Sequence, residues 1–357
     1  MKVLVSIGTR PEFIKMVPVL RELKKRGVEN HFLYTGQHRD LCRPLFDFFA
    51  IHPDTDLDIM KENQPIAHIT SSILTRLGTV LDTVEPDIVI VHGDTSTTLA
   101  SSLAAFYKKI PVAHVEAGLR SHDRYSPFPE EMNRVLTDRL ASHHFAPTTL
   151  NRDNLLREGI DPATIFVTGN TVIDTVKLVA AKIKAEKKKQ VLITAHRREN
   201  FGEPMEHICR AIAELARLFP DRAFLYPVHP NPNVRKTTDA LLTGISNVRL
   251  VEPLDYIAFI TEMASSELVL TDSGGIQEEA PAFGIPVVVM RRETERTEGV
   301  EAGTLILAGT AQSDIIAAAK RLLTDSAYYA SFANATNPYG DGHAAERIVQ
   351  KLFEISF

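Results

Sequence analysis

Two stretches decide how this chain is read: Asp87-Ile88-Val89-Ile90-Val91-His92-Gly93-Asp94 and Ile110-Pro111-Val112-Ala113-His114-Val115-Glu116. Each is a short apolar run that closes on a histidine and a carboxylate. Runs of this length, alternating with helical stretches, read as buried parallel strands. In open parallel sheets, ligands bind beyond the carboxyl ends of the strands, where strand order reverses. Two acids delivered to that edge by neighbouring strands suit acid–base chemistry, so the pattern points to an enzyme.

The alternation runs outward in both directions. In the first half it predicts strands over 3–7, 32–34, 57–59, 87–92, 112–115 and 142–145, with helices such as 13–25, 67–84 and 96–108. In the second half it predicts strands over 190–194, 223–228, 248–251, 268–271, 287–290 and 304–307, and a long amphipathic helix over 204–218. Residues 182–189 carry five lysines and little apolar surface, which reads as a solvated helix end and a natural border region. Apolar spacing at Ile348, Leu352 and Ile355 predicts a docked helix over 344–357. The simplest architecture is α/β, with two doubly wound parallel-sheet (Rossmann-like) domains facing a cleft.

Composition narrows the class. A chain of 357 residues exceeds one ordinary core and suggests two domains. Its 44% hydrophobic and 24% charged content is that of a globular protein in water. A net charge of −5 argues against general nucleic-acid binding. Cys42 and Cys209 lie far apart, without metal or redox spacing, which fits a reducing compartment. The opening apolar run, Val3 to Ile7, is too short for a signal-peptide core or a membrane span. A cytoplasmic protein without a membrane partner is expected.

Several strand-end loops suit an anion. Gly8-Thr9-Arg10-Pro11-Glu12-Phe13-Ile14-Lys15 offers a tight turn, a proline able to open a helix, and two cations near that helix start. A plain strand–helix turn with surface charges explains it equally well. Thr271-Asp272-Ser273-Gly274-Gly275-Ile276-Gln277-Glu278-Glu279 is stronger, because paired glycines let backbone N–H groups approach a phosphate. A helix N-cap at Asp272 or Ser273 accounts for only part of it. Glu279, one turn on, suits sugar hydroxyls. Ala195-His196-Arg197-Arg198-Glu199-Asn200 and the charged loop around Arg292 and Arg296 add polar and cationic groups. No Gly-x-Gly-x-x-Gly, Walker sequence or Tyr-x-x-x-Lys occurs. A phosphate-bearing ligand without a dinucleotide fingerprint suggests a nucleotide-sugar, with no NAD or other cofactor.

The candidate acids are Asp94, Glu116 and Glu130. The last follows the rigid approach Ser126-Pro127-Phe128-Pro129. Acids there also fit a first helical turn stabilised by the dipole. For His92 and His114 the commoner fate is a core position bonded to nearby backbone. A metal held by His-x-Asp and His-x-Glu on adjacent strands is the sharper alternative. Against it, Gly93 suggests that the first strand has already turned, so its pair no longer shares a face.

Taken in order, Gly8-Thr9-Arg10-Pro11-Glu12, His92-Gly93-Asp94-Thr95, His114-Val115-Glu116-Ala117-Gly118-Leu119-Arg120 and Ser126-Pro127-Phe128-Pro129-Glu130-Glu131 resemble the non-hydrolysing UDP-N-acetylglucosamine 2-epimerases. So do Thr168-Gly169-Asn170-Thr171, His196-Arg197-Arg198-Glu199-Asn200, Asp272-Ser273-Gly274-Gly275-Ile276-Gln277-Glu278-Glu279 and Asn337-Pro338-Tyr339-Gly340-Asp341-Gly342. The resemblance covers essentially the whole chain. It implies a fold of the GT-B type, with an N-terminal domain over 1–170, a UDP-binding domain over 171–342 and a helix at about 343–357 returning to the first. It implies a homodimer and interconversion of UDP-N-acetylglucosamine with UDP-N-acetylmannosamine for surface polysaccharides. It places the catalytic residues on Asp94, Glu116, Glu130 and His196. Substrate contacts fall on Arg10, Lys15, Phe259, Ser273, Gly274, Gly275, Glu279 and Arg296, with no metal. A related diacetamido or uronic-acid UDP-sugar, or glycosyl transfer on the same architecture, is the alternative.

This chain departs from the family pattern at Thr297, where a proline is usual after Arg296, and at Pro44 and Ser72. Many members carry glutamine and arginine at the last two positions, which with Gln37 and His38 help hold an activating second substrate. The departures speak against that activation here.

Overall fold

In the N-terminal half, the apolar runs form β1 (Lys2–Ile7), β2 (Glu29–Tyr34), β3 (Thr55–Asp56), β4 (Ile88–His92), β5 (Val112–Val115), β6 (His143–Ala146) and β7 (Ile165–Val167). In this computed structural model, which describes residues 1–37, 39–60 and 64–355, they make one all-parallel sheet in the order β3-β2-β1-β4-β5-β6-β7. Chain direction across the sheet reverses between β1 and β4, so the switch point lies at their carboxyl ends. Every residue of β4 and β5 is buried, as expected for strands covered on both faces. Helices Ile66–Val84 and Ser96–Tyr107 pack Ile73, Leu77, Leu81, Ala100 and Ala104 against Leu4, Val89 and Val91. Each fully enclosed leucine or isoleucine contributes roughly 1.5–3 kcal/mol.

The C-terminal half repeats the design with β8 (Gln190–Thr194), β9 (Ala223–Pro227), β10 (Val248–Val251), β11 (Leu268–Thr271), β12 (Val287–Val289) and β13 (Leu305–Leu307). Their order is β10-β9-β8-β11-β12-β13, all parallel, with the switch point between β8 and β11. Helix Glu203–Leu218 presents Ile208, Ile212 and Leu215 to Ile193, Phe224 and Tyr226. That is the helical spacing read in the sequence.

The chain divides into Met1–Thr175 with Gly340–Phe357, and Val176–Tyr339. Asp174 explains how the terminal helix Ala344–Glu354 joins the first unit. Its carboxylate accepts the N–H groups of Ala344 and Ala345, at 3.2 and 2.9 Å, which caps the helix start. Residues 356 and 357 of the predicted helix, and His38, lie outside the described residues.

Two strand expectations need correction. The strand expected at 57–59 is Thr55–Asp56 instead. At Asp58 the backbone turns left-handed (φ 45°), held by Asp58 N–H donating to Asp56 Oδ1 at 2.9 Å. Strand β7 is absent from the sequence expectations because it is a three-residue edge strand with only Ile165 buried.

Candidate active site

The N-terminal site is built at the ends of β1, β4 and β5. Thr9 and Glu12 form a capping box that starts helix Arg10–Lys25, with Pro11 in its first turn, as the sequence indicated. Gly8 does not need a positive φ. A Cβ there would sit 2.0 Å from Thr97 Oγ1 and 2.6 Å from Thr35 Oγ1, so close packing demands the glycine. Glu12 is buried, and burial raises its pKa. Its oxygens accept from the N–H of Gly8 (3.0 Å) and Thr9 (2.6 Å) and from the hydroxyls of Thr95 (2.7 Å) and Thr98 (3.1 Å). The turn bearing Arg10 is thereby tied to the loop bearing Asp94.

Glu116 follows β5 with a left-handed backbone (φ 66°), a conformation that non-glycine residues adopt at a cost and that clusters at functional sites. Lys15 Nζ donates to its Oε2 at 2.6 Å, and His92 Nε2 stands 2.8 Å from the same oxygen. Burial alone would raise this carboxyl, but Lys15 and His92 hold it well below the usual carboxylate range. Glu116 is therefore a fixed negative charge throughout the neutral range. The two acids that a shared metal would need have separate cationic partners, Lys15 for Glu116 and Arg134 for Asp94. Among the described residues no cluster suited to a metal occurs.

Asp94 Oδ2 accepts from Arg134 at 2.6 Å, and its carbonyl accepts from Asn133 Nδ2 at 2.9 Å. Both partners lie on helix Glu130–Leu140. Glu130, Arg134 and Asp138 recur every fourth residue on that helix, one side-chain face. Glu130 is half-buried at its start, its carboxylate without a hydrogen bond or ion pair among the described residues. Its neighbour Glu131 is structural, accepting the N–H groups of Ser121 (3.0 Å) and His122 (3.1 Å).

His114 is the core histidine that its sequence position allowed. Nδ1 meets Asp138 Oδ1 at 2.6 Å and Nε2 meets the Gly93 carbonyl at 2.7 Å, with the ring wholly enclosed. Asp138 also accepts from Arg120 at 2.7 Å. Burial would raise Asp138, yet His114 and Arg120 hold it low. This buried network fixes Gly93, and so Asp94, relative to the strand that delivers Glu116. Sequence reading missed Arg134 and Asp138, although their spacing from Glu130 was a usable signal.

The C-terminal site lies at the ends of β8, β9 and β11. Asp272 does not cap its own helix. Its Oδ2 accepts from the N–H of His196 and Arg197, both at 2.8 Å, and from Asn200 Nδ2 at 3.0 Å. His196 stacks on His229, with ring centroids 5.3 Å apart and planes 12° from parallel. Burial lowers the His196 pKa; Asp272 opposes this, while His229 and Arg197 reinforce it. His229 ends the run Tyr226-Pro227-Val228-His229 after β9, and its strand-end position was the signal overlooked.

Ser273 stands at the N-cap of helix Gly274–Glu279 without a side-chain cap bond. A Cβ on Gly274 would come within 3.0 Å of the Arg296 guanidinium carbon, so the glycine admits Arg296 to the turn. Arg296 donates to Glu278 at 3.0 Å and also pairs with Glu295. Burial would raise Glu295, but Arg296 foremost brings it down to about 2. Tyr339 Oη steadies this loop, accepting from Gly299 N–H and donating to the Arg296 carbonyl, both at 3.2 Å. Helix Thr297–Glu301 begins directly after Arg296, at the position where the family's proline is replaced. Glu279 closes the short helix, half-buried, and Phe259 is half-buried on helix Tyr256–Ser265.

Comparison with known proteins settles the lineage. The family model described as UDP-N-acetylglucosamine 2-epimerase matches residues 21–353. The chain belongs to the UDP-N-acetylglucosamine 2-epimerase family. It is 50% identical over 360 residues to the UDP-N-acetylglucosamine 2-epimerase of Bacillus subtilis, covering 99% of this chain and 95% of that protein. It is 49% identical over 369 residues to the enzyme of that name from Yersinia pestis, covering 99% and 98%. The crystal structure of UDP-GlcNAc 2-epimerase from Neisseria meningitidis bound to UDP-GlcNAc superposes with a TM-score of 0.90 at 46% identity, covering 99% of this chain and all of that one. The chain is thus an isomerase built on two parallel-sheet α/β domains. Among the described residues no helix is long and apolar enough to cross a membrane.

Proposed function

We propose that this epimerase interconverts UDP-N-acetylglucosamine and UDP-N-acetylmannosamine by eliminating and re-adding UDP, for surface polysaccharide synthesis. The C2–H of the sugar is not adjacent to a carbonyl, so removing it directly is costly. Breaking the C1–O bond first makes an oxocarbenium-like centre that acidifies C2–H. A carboxylate takes that proton, leaving a glycal and UDP. Return of a proton to the opposite face and re-addition of UDP invert C2.

The observation that carries this reading is Glu116, locked as a carboxylate by Lys15 and His92 on the strand beside the one that leads into Asp94. In this reading a permanent anion stabilises the cationic centre, and Asp94 is the base. Glu130, free of an ion pair among the described residues, handles the proton on the other face. Arg10, Arg296, His196 and the amides of Ser273, Gly274 and Gly275 stabilise the departing diphosphate. Lys15 and Glu279 orient phosphate and sugar, and Phe259 packs against the nucleotide. The expected homodimer is supported by Phe106 and Tyr107, which are 57% and 65% exposed at the end of helix Ser96–Tyr107.

Incubating the pure protein with UDP-N-acetylglucosamine alone tests the reaction. NMR should show UDP-N-acetylmannosamine growing to equilibrium without an acceptor and in the presence of a chelator. A requirement for an acceptor sugar would make the chain a transferase.

A further inference from the structure

The two oxygens of Asp272 have different surroundings. The side chain is fully enclosed, and Oδ2 takes all three donors of the His196–Asn200 loop. Oδ1 has no hydrogen-bond partner among the described residues. A buried acceptor left without a donor is costly, so such an atom calls for a role. His196 Nδ1 lies 3.7 Å away, one small ring movement from satisfying it. Stacking against His229 constrains the ring plane, and His229 is itself anchored where its Nδ1 accepts the Asn231 N–H at 3.1 Å.

We propose that Asp272 is the positioning residue of His196: Oδ1 takes the Nδ1–H, so the ring turns Nε2 outward to meet an oxygen of a diphosphate. This rests on the reading above that His196 serves the nucleotide. As the anion arrives, His196 takes one proton from solvent, and its Nε2–H donates to the diphosphate. No other bond forms or breaks. The groups acting on the ring are Asp272, His229 and Arg197. Burial, His229 and Arg197 work against that proton, while Asp272 and the bound anion favour it.

Asp272→Asn separates this role from mere support. Three N–H donors converge on Oδ2, so the amide oxygen must take that place, and the new NH2 faces Nδ1. Nδ1 then has to accept, and the neutral ring carries its proton on Nε2. Nitrogen-15 NMR of histidine-labelled protein should show His196 protonated at Nδ1 in the wild type and at Nε2 alone in the variant. Calorimetry of UDP binding in buffers of different ionisation enthalpy should show proton uptake in the wild type and its loss in the variant. UDP affinity should fall about tenfold, as for one charge-assisted hydrogen bond. An Nε2–H tautomer in the wild type, or unchanged proton uptake in Asp272→Asn, overturns the proposal. Should the variant fail to fold, the wild-type tautomer and proton uptake decide by themselves. Failure of the wild type to bind UDP would instead remove the nucleotide reading, and the tautomer of the unliganded ring would still decide whether Asp272 orients it.

Discussion

The two domains share a strand order and a switch point, yet they furnish that edge with opposite chemistry. At the ends of β4 and β5, Asp94 and Glu116 project as acids, each held by a cation supplied by a neighbouring helix, Arg134 and Lys15. At the ends of β8 and β11 the acid is turned inward. Asp272 spends its charge on backbone N–H groups, and the side chains left at the edge are His196, His229 and, in the next loop, Arg296. In the proposed function, the same topology serves proton transfer through the acids of one half and the anion chiefly through the side chains and amides of the other, with Arg10 and Lys15 as the first half's share of it. What separates them is which way a single carboxylate faces, a property of side chains rather than of fold.

That contrast breaks most visibly at Glu116. Glu116→Gln should cut turnover by about a hundredfold or more, as when one preorganised charge facing the transition state is removed, while UDP affinity measured by calorimetry stays near wild type. Equal losses in both would show that the Glu116 carboxylate itself supports the nucleotide, beyond the contacts given to Arg10 and Lys15. Next comes the buried network beneath the acids. Asp138→Asn leaves His114 and Arg120 facing an amide, and a broken buried pair costs roughly 3 kcal/mol or more. A lowered Tm with reduced kcat and preserved UDP affinity is expected, whereas unchanged kcat would detach the network from the site.

On the anion side, Gly274→Ala forces Arg296 to move. UDP affinity should fall about fivefold, on the order of one hydrogen bond, with kcat at saturation little altered. The smallest effect concerns Glu295, whose pKa is depressed to about 2 from an ordinary 4.5. A lowered folded-state pKa contributes stability above the unfolded value, and this is lost as pH falls through the folded one. Wild-type Tm should therefore decline more steeply between about pH 4.5 and pH 2 than that of Glu295→Gln.

Much of this was legible in the sequence because it rests on pattern. Buried parallel strands announce themselves as apolar runs, and the strand-end motifs located Asp94, Glu116, His196 and the Ser273–Gly275 turn. The strand at Thr55–Asp56 was misplaced because a left-handed turn at Asp58 leaves no mark in hydrophobic spacing. Partners were hidden for another reason. Lys15 meets Glu116 from 101 residues away and Asp272 meets His196 from 76, distances that only the folded sheets close. A helix cap at Asp272 is the alternative that local sequence offers, whereas in the fold the loop after the neighbouring strand gives its carboxylate three donors.

The central claim is that the acids of the N-terminal domain move a single proton at C2 while UDP departs and returns. Its most direct test is turnover of UDP-N-acetylglucosamine in deuterated water, followed by NMR of both recovered sugars. The account predicts deuterium at C2 of product and of recycled substrate, with none incorporated by Glu116→Gln on the same time scale. Full epimerisation with C2 still protiated would contradict it.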